Sequence, residues 1–271
     1  MRGSLGEKIG EGALADVHAW APGQVVKLLK AGAAQRSCRR EARITRAVFA
    51  AGGPAPEVFG EIKLEGRFGI VLTRFTGPTL LQAYRTGTVT FEQAGMILAS
   101  LCLAVHKTPP PTDVPFLRDL MEGWLRISGD AVPKHITTGT LALIDRLRPG
   151  DGLCHTDLHP GNVIMTADGP KLVDWGGAVR GPAALDLANC HVMLAEHAAE
   201  VADNPQRPLA ANAAAQSEYA RLAGMSEAAL MAAMKPYLSI ARLRLVLGGT
   251  VPDPLRERMI QRIEADLHPE D

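Results

Sequence analysis

The sequence predicts an α+β fold of two lobes, a small β-rich N-terminal lobe with one helix and a larger, mainly helical C-terminal lobe. Three observations predict it. Short apolar segments parted by turn signals crowd residues 1–76, with a single long helical pattern among them. After Gly77-Pro78 helical periodicity takes over and holds through residues 77–271. One short β segment, Val163 to Trp175, interrupts that helical half.

In chain order, Leu5 to Gly10, Asp16 to Trp20 and Gln24 to Leu29 are strand candidates, the second pair joined by the turn Ala21-Pro22-Gly23. A helix over Ala34 to Ala50 ends at Gly52-Gly53-Pro54, where glycine and proline cannot continue it. Val58 to Leu64 and Arg67 to Phe75 form a hairpin about Glu65-Gly66. Phe91 to His106 is helical, with Ala94, Ile97, Leu98, Leu101 and Val105 on one face. Thr108 to Pro115 is a proline-rich loop, and Phe116 to Ile127 and Thr138 to Leu147 are helical. The remainder is alanine-rich helix, broken near Asp203-Asn204-Pro205 and near Gly248 to Pro254.

Composition narrows the function. The chain has 271 residues, 46% of them hydrophobic, enough for a sizeable core. A formal net charge of zero argues against an electrostatic nucleic-acid binder and gives no reason to expect a membrane surface. No stretch reaches the roughly 18 apolar residues that span a bilayer, and Arg2 to Glu7 is too polar for a secretory signal. Cys38, Cys102, Cys154 and Cys190 are widely spaced and read as reduced thiols of a cytoplasmic protein. The sequence specifies no oligomeric state.

The chemistry gathers in His155-Thr156-Asp157-Leu158-His159-Pro160-Gly161-Asn162 and in Val173-Asp174-Trp175-Gly176. Val163 to Met165 and Lys171 to Val173 are apolar strands joined across Asp168-Gly169, a hairpin turn signal. Asn162 enters the first strand and Asp174 leaves the second, so the hairpin brings them side by side at its open end. A carbonyl oxygen and a carboxylate there suit a hard cation such as Mg²⁺. Asp157 lies five residues before Asn162 in a loop that Pro160 and Gly161 keep from becoming helix, and it can face the same point. Phosphoryl transfer needs such an arrangement: one carboxylate orients and deprotonates a hydroxyl while metal ions hold the phosphates. A zinc pair of His155 and His159 is the competing reading, opposed by Pro160-Gly161 and the lack of a third ligand.

Here the chain resembles the aminoglycoside phosphotransferase family, the small-molecule branch of the protein-kinase-like fold. That family's signature is close to H-[GN]-D-x-H-x-x-N, a hairpin, and D-[WF]-[GE]; this chain reads HTDLHPGN and VDWGG. The resemblance implies Asp157 as catalytic base and Asn162 and Asp174 as Mg²⁺ ligands. His155 then supports the catalytic loop. Asp186, in the D-[LIV]-A element Asp186-Leu187-Ala188, buttresses it as well.

A second half of the site lies upstream. Gly10-Glu11-Gly12-Ala13-Leu14-Ala15-Asp16-Val17 fits a glycine-rich phosphate loop between two strands, with Ala15 for the third glycine. Lys27 ends Gln24-Val25-Val26-Lys27, the setting of the kinase strand lysine, where its charge meets the nucleotide phosphates. Glu41 on the following helix is its expected ion-pair partner, with Glu57 and Glu61 as alternatives. The arginines at 36, 39, 40, 43 and 46 read as a solvated helix face. By the same resemblance Leu72 to Gly77 is the interlobe hinge. There the Thr73 carbonyl and the Phe75 amide bind the base edge of ATP or GTP. Ile9, Val17 and Val25 pack above the base, and Ile164 and Val173 below it.

Only 11 residues separate Asp174 from Asp186, too few for the longer activation segment of a protein kinase, which favours a small hydroxylated acceptor. An aminoglycoside is the leading expectation, with a compact protein kinase or a nucleotide-binding pseudokinase as alternatives. A polycationic acceptor requires an acidic pocket, for which Glu196, Glu200, Asp203, Glu218, Glu264, Asp266, Glu270 and Asp271 are candidates. Arginines at 207, 221, 242, 244, 256, 258 and 262 are interspersed with them.

Overall fold

The computed structural model describes residues 4–128, 132–147, 149–248 and 251–268. The N-terminal third forms one antiparallel sheet of five strands: β1 (Lys8–Glu11), β2 (Ala15–Ala21), β3 (Gln24–Leu29), β4 (Val58–Leu64) and β5 (Arg67–Thr73). Their spatial order is β1-β2-β3-β5-β4. The crossover between β3 and β4 is α1 (Gln35–Ala50), which packs on the sheet. Side chains alternate along a strand, so Val25, Lys27 and Leu29 share one face of β3. Val25 and Leu29 form a small core there with Cys38 and Ala42 of α1 and with Ile70 and Leu72 of β5. Glu41 sits in the same buried stripe of α1 as Cys38, Ala42 and Thr45. A carboxylate on a buried stripe needs a partner, and Lys27 on the facing strand supplies it.

Beyond the sheet come α2 (Leu80–Arg85), α3 (Phe91–Lys107), α4 (Leu117–Ser128) and α5 (Lys134–Arg146). Then follow β6 (Gly152–Cys154), the hairpin β7 (Val163–Thr166) and β8 (Gly169–Leu172), and β9 (Val179–Gly181), which pairs with β6. α6 (Ala183–His191) runs through a π-helical turn (Val192–Ala198) into α7 (Ala199–Val201). The chain closes with α8 (Gln206–Ala223), α9 (Glu227–Met234), α10 (Leu238–Leu247) and α11 (Asp253–Leu267). A single large core joins these helices with the hairpin and with Trp175.

Most expected boundaries fall within a few residues of the observed ones. The first strand begins at Lys8 rather than Leu5; a bulge interrupts it between Lys8 and Gly10, and the Gly6 amide still bonds the Ala19 carbonyl. Strand β5 stops at Thr73, two residues short of the expected end, where the Arg74 amide turns to the Gly23 carbonyl. The helix expected from Thr138 begins at Lys134, after Pro133. Helix α2 and the β6–β9 pair add to the elements that the sequence predicts. The first is fixed by a capping box of Thr79 and Gln82, and the second is only three residues a side.

The connection between sheet and helices is pinned to the hairpin. The Met165 amide donates to the Pro78 carbonyl at 2.9 Å, and Leu172 donates to the Pro54 carbonyl at 3.3 Å. Gly77 lies so close to the Met165 carbonyl that a Cβ there would meet its oxygen at 1.8 Å.

Candidate active site

The loop before β7 is built on a buried carboxylate. Asp186, fully buried at the start of α6, accepts the amide protons of His155 at 2.8 Å and Thr156 at 2.5 Å. His106 at the end of α3 adds Nε2 at 3.2 Å, and its Nδ1 meets the Tyr219 hydroxyl at 2.8 Å. Burial pushes the Asp186 carboxyl up, and these donors outweigh it and hold the group below the usual carboxylate range. Thr156 takes a left-handed conformation (φ 64°), and its hydroxyl donates to the Gly177 carbonyl at 2.8 Å. A β-branched residue rarely adopts that region; the surrounding hydrogen bonds hold it there.

His155 is buried against the Trp175 ring, edge to face at 4.6 Å between centroids. Its Nδ1 accepts the Asp157 amide proton at 3.2 Å, so Nε2 carries the hydrogen and donates to the Val173 carbonyl at 3.1 Å. One neutral imidazole thereby ties the loop before β7 to the far strand of the hairpin. Burial lowers its pKa, in keeping with that neutral state.

Asp157 emerges from this scaffold half-buried. Its Oδ1 lies 2.9 Å from Nη2 of Arg244, and its Oδ2 accepts from Asn162 Nδ2 at 3.1 Å. His159 Nε2 stands 3.8 Å away, its Nδ1 being occupied by the Gly161 amide. Burial raises the Asp157 carboxyl, but Arg244 and then the two histidines reverse it, leaving the group ionised far below the ordinary aspartate range.

The hairpin brings the expected ligand pair together. Val173 donates to the Asn162 carbonyl at 2.9 Å, closing the ladder so that Asn162 and Asp174 flank its open end. Asn162 spends its amide hydrogens on the Asp157 carbonyl and carboxylate, which leaves its side-chain oxygen. Asp174 is left-handed (φ 67°), is 44% exposed, and meets Lys27 Nζ at 2.9 Å through Oδ1. The Asp174 carboxylate and the Asn162 oxygen are hard donors, and they fit a small divalent cation.

Lys27 crosses from the sheet to this point, with Nζ 2.7 Å from Glu41 Oε1 as well as 2.9 Å from Asp174. Glu57 and Glu61 take no part in this pairing. Burial favours a neutral amine; the two carboxylates outweigh it and raise the pKa, keeping the ammonium charged. The glycine-rich turn closes through the Gly12 amide on the Ala15 carbonyl at 2.8 Å, with Ala15 buried and Leu14 exposed at its tip. Val25 is buried, Val17, Ile164 and Val173 are half-buried, and Ile9 is exposed. At the expected hinge the Thr73 amide and hydroxyl both bond Glu57, tying the end of β5 to β4, and Phe75 is half-buried just beyond.

Two participants escaped the sequence reading. Arg244 was one of seven scattered arginines, yet it falls inside the apolar run Leu238 to Leu247, where a charge must find a buried partner. His106 contacts Asp186 across 80 residues of chain, and no local signal marks it.

Most of the acidic candidates are paired with basic side chains. Glu196 is clasped by Arg242 at 2.7 Å and Arg262 at 3.0 Å, Asp266 by Arg242 at 2.6 Å, and Glu218 by Arg221 at 2.7 Å. Glu200 pairs with Arg258, and Glu264 with His135. Asp203 is exposed in the bend before α8, and Glu270 and Asp271 lie outside the described residues.

Among known structures, an aminoglycoside-3'-phosphotransferase of type VIII superposes with a TM-score of 0.57 at 20% identity, covering 87% of this chain and 93% of the other. A putative fructosamine-3-kinase from Haemophilus somnus 129PT gives 0.64 at 12%, covering 98% and 92%. Choline kinase from Cryptosporidium parvum Iowa II gives 0.59 at 12%, covering 98% and 89%. These likenesses establish the protein-kinase-like fold. No curated protein matches the sequence significantly. The model of the phosphotransferase enzyme family matches residues 7–229, which contain Lys27, Glu41, Asp157, Asn162, Asp174 and Asp186, and the chain belongs to that family.

Proposed function

We propose that this enzyme transfers the γ-phosphoryl group of ATP or GTP, with Mg²⁺, to a hydroxyl of a small molecule, and that Asp157 is its base. The observation that carries the reading is convergence: Lys27 from the sheet meets Asp174 at 2.9 Å, Asn162 holds Asp157 at 3.1 Å, and the 2.9 Å bond from the Val173 amide to the Asn162 carbonyl sets the two pairs at one end of the hairpin. Residues 1–76 form the nucleotide lobe and residues 77–271 the catalytic lobe in this reading. The turn from Gly10 through Gly12 to Val17 covers the phosphates, Lys27 neutralises them, and Glu41 fixes Lys27. Thr73 and Phe75 take the base edge, with Val25 above it and Ile164 and Val173 below.

Asn162 and Asp174 would hold Mg²⁺, which when bound neutralises charge on the transferring phosphates. Asp157 accepts the proton of the acceptor hydroxyl. That oxygen bonds the γ-phosphorus as the bond from phosphorus to the bridging oxygen breaks, releasing the nucleoside diphosphate. Asn162 and Arg244 keep the Asp157 carboxylate ionised and aimed, and His155 and Asp186 hold the loop beneath it.

The acceptor is a small molecule because Asp174 and Asp186 are joined by one tight turn and β9, which offers little platform for a peptide. An aminoglycoside, the leading expectation from the family, requires unspent acidic groups, and those of the helical half are mostly paired with arginine. No helix among the described residues is long and apolar enough to cross a membrane. All four cysteines are buried free thiols, which supports the assignment to the cytoplasm.

The test is Asp157→Asn. Nucleotide binding, followed by calorimetry with Mg²⁺, should persist, while release of nucleoside diphosphate driven by an acceptor falls by about 10²-fold or more. Unchanged turnover would remove Asp157 as the base.

A further inference from the structure

Arg244 gives the acceptor side of this site an unexpected sign. It projects from α10 to Asp157, where Nη2 makes its 2.9 Å contact, and its guanidinium lies over the Trp124 ring at 5.6 Å from the centroid. The side chain is 15% exposed, and its Nε–H, buried, has no hydrogen-bond partner among the described residues. A Cβ on Gly177 would stand 3.8 Å from Nη2, so the fork sits between the base and the segment that follows Asp174. Asp157 is the one carboxylate bonded to it among the described residues, and a guanidinium offers five N–H donors.

The other oxygen of Asp157 faces an imidazole. His159 Nε2 stands 3.8 Å from Oδ2, and His197 lies on the π-helical turn Val192–Ala198. His197 Nε2 is likewise buried without a partner among the described residues. Such π turns are frequent at functional sites. The acid groups on neighbouring helices, Glu196, Glu200 and Asp266, are already held by Arg242, Arg258 and Arg262.

We propose that the acceptor bears an oxyanion, a carboxylate or a phosphate, a few bonds from its reacting hydroxyl, and that Arg244 recognises it. The inference rests on Asp157 being the base, because that contact fixes where the hydroxyl must sit. A hydroxyl beside Oδ1 or Oδ2 brings the adjoining group of a hydroxy acid or hydroxy phosphate to the edge of the guanidinium fork. A planar fork matches such oxygens in pairs. An ammonium in the same place faces the Arg244 guanidinium, while Glu196, Glu200 and Asp266 on the neighbouring helices are already held by arginine.

The experiment compares wild type with Arg244→Gln and Arg244→Lys, each loaded with a non-hydrolysable ATP analogue and Mg²⁺. Calorimetry measures D-glycerate, L-malate and sn-glycerol 3-phosphate as anionic probes against glycerol, choline and kanamycin. At least one anion should bind the wild type about tenfold more tightly than the neutral and cationic probes. That preference should disappear in Arg244→Gln and survive in part in Arg244→Lys, where the charge remains and the fork is lost. The ratio between the hydroxy acids and glycerol 3-phosphate separates carboxylate from phosphate recognition. Retained binding of the ATP analogue shows that each variant is folded. The proposal is overturned if no anion binds, if choline or kanamycin binds more tightly, or if Arg244→Gln leaves anion affinity unchanged. Anion binding that depends on Arg244, without nucleoside diphosphate release from ATP on any probe, would sink the phosphotransferase reading and leave the anion site standing.

Discussion

Two residues of the site, Thr156 and Asp174, hold left-handed backbone; aspartate visits that region more readily than most residues, but for the β-branched Thr156 it costs about 1–3 kcal/mol. The strain persists because Asp186, Gly177 and the hairpin over-determine the loop. His155 is the keystone of that restraint, since its two nitrogens join the Asp157 amide to the Val173 carbonyl. Its folded-state pKa is depressed by burial below the ordinary 6.5. The unfolded chain therefore binds a proton that the folded chain refuses. The stabilisation is complete above pH 6.5 and is lost as pH falls toward the folded value, with a slope of at most about 1.4 kcal/mol per pH unit for one group. His191 and His197, also lowered by burial, add to the same trend. Urea midpoints taken between pH 7.5 and 5.5 should decline, and His155→Gln should flatten the decline without abolishing it. An identical slope in that variant would show that His155 does not titrate with folding.

Among the elements, α3 and α8 approach closely at Gly95, where a Cβ would meet the Ala211 carbonyl oxygen at 2.2 Å and the Ala214 Cβ at 2.8 Å. Backbone stands against backbone there, so neither side can rotate away. Gly95→Val should cost about 2–3 kcal/mol and lower the melting temperature by roughly 5–10 °C. Gly123→Ala on α4, with nothing within 4 Å of the new methyl, should be neutral or slightly stabilising; equal losses in the two would refute the packing argument. That contact was invisible in the sequence, because a glycine inside an apolar period reads only as a weak helix position. The helix α3 itself was legible, since Ala94, Leu98, Leu101 and Val105 recur on one face and all are buried. The β6–β9 pair was not, because three residues carry too little period to stand out and the partners lie far apart in sequence.

At the scale of the whole molecule, the legible part of the site is what local chemistry dictates. Asp168-Gly169 forces a hairpin, and the hairpin alone brings Asn162 to Asp174. Lys27 and Glu41 could be matched because a short crossover sets α1 on the sheet. What stayed hidden were the partners supplied by tertiary packing: His106 on Asp186, Arg244 on Asp157, and the arginines that neutralise Glu196 and Asp266. The contact of Lys27 with Asp174 bridges the two halves of the molecule, and it depends on how the chain between them is seated. Gly77 controls that seating. Its φ of 149° is one that L side chains rarely adopt, and the Met165 oxygen lies 1.8 Å from where a Cβ would stand. Gly77→Ala must therefore push the connection off the hairpin, at about 3 kcal/mol from strain and overlap together. Gly23→Ala is the control, left-handed at φ 73° but with nothing within 4 Å, and should lose only about 1 kcal/mol. If Gly77 holds the halves in register, its variant should also bind ATP with Mg²⁺ more weakly in calorimetry at a temperature where it is still folded, while Gly23→Ala binds as wild type does. Equal nucleotide affinity in the two variants would mean that the Lys27–Asp174 contact tolerates displacement of the connection.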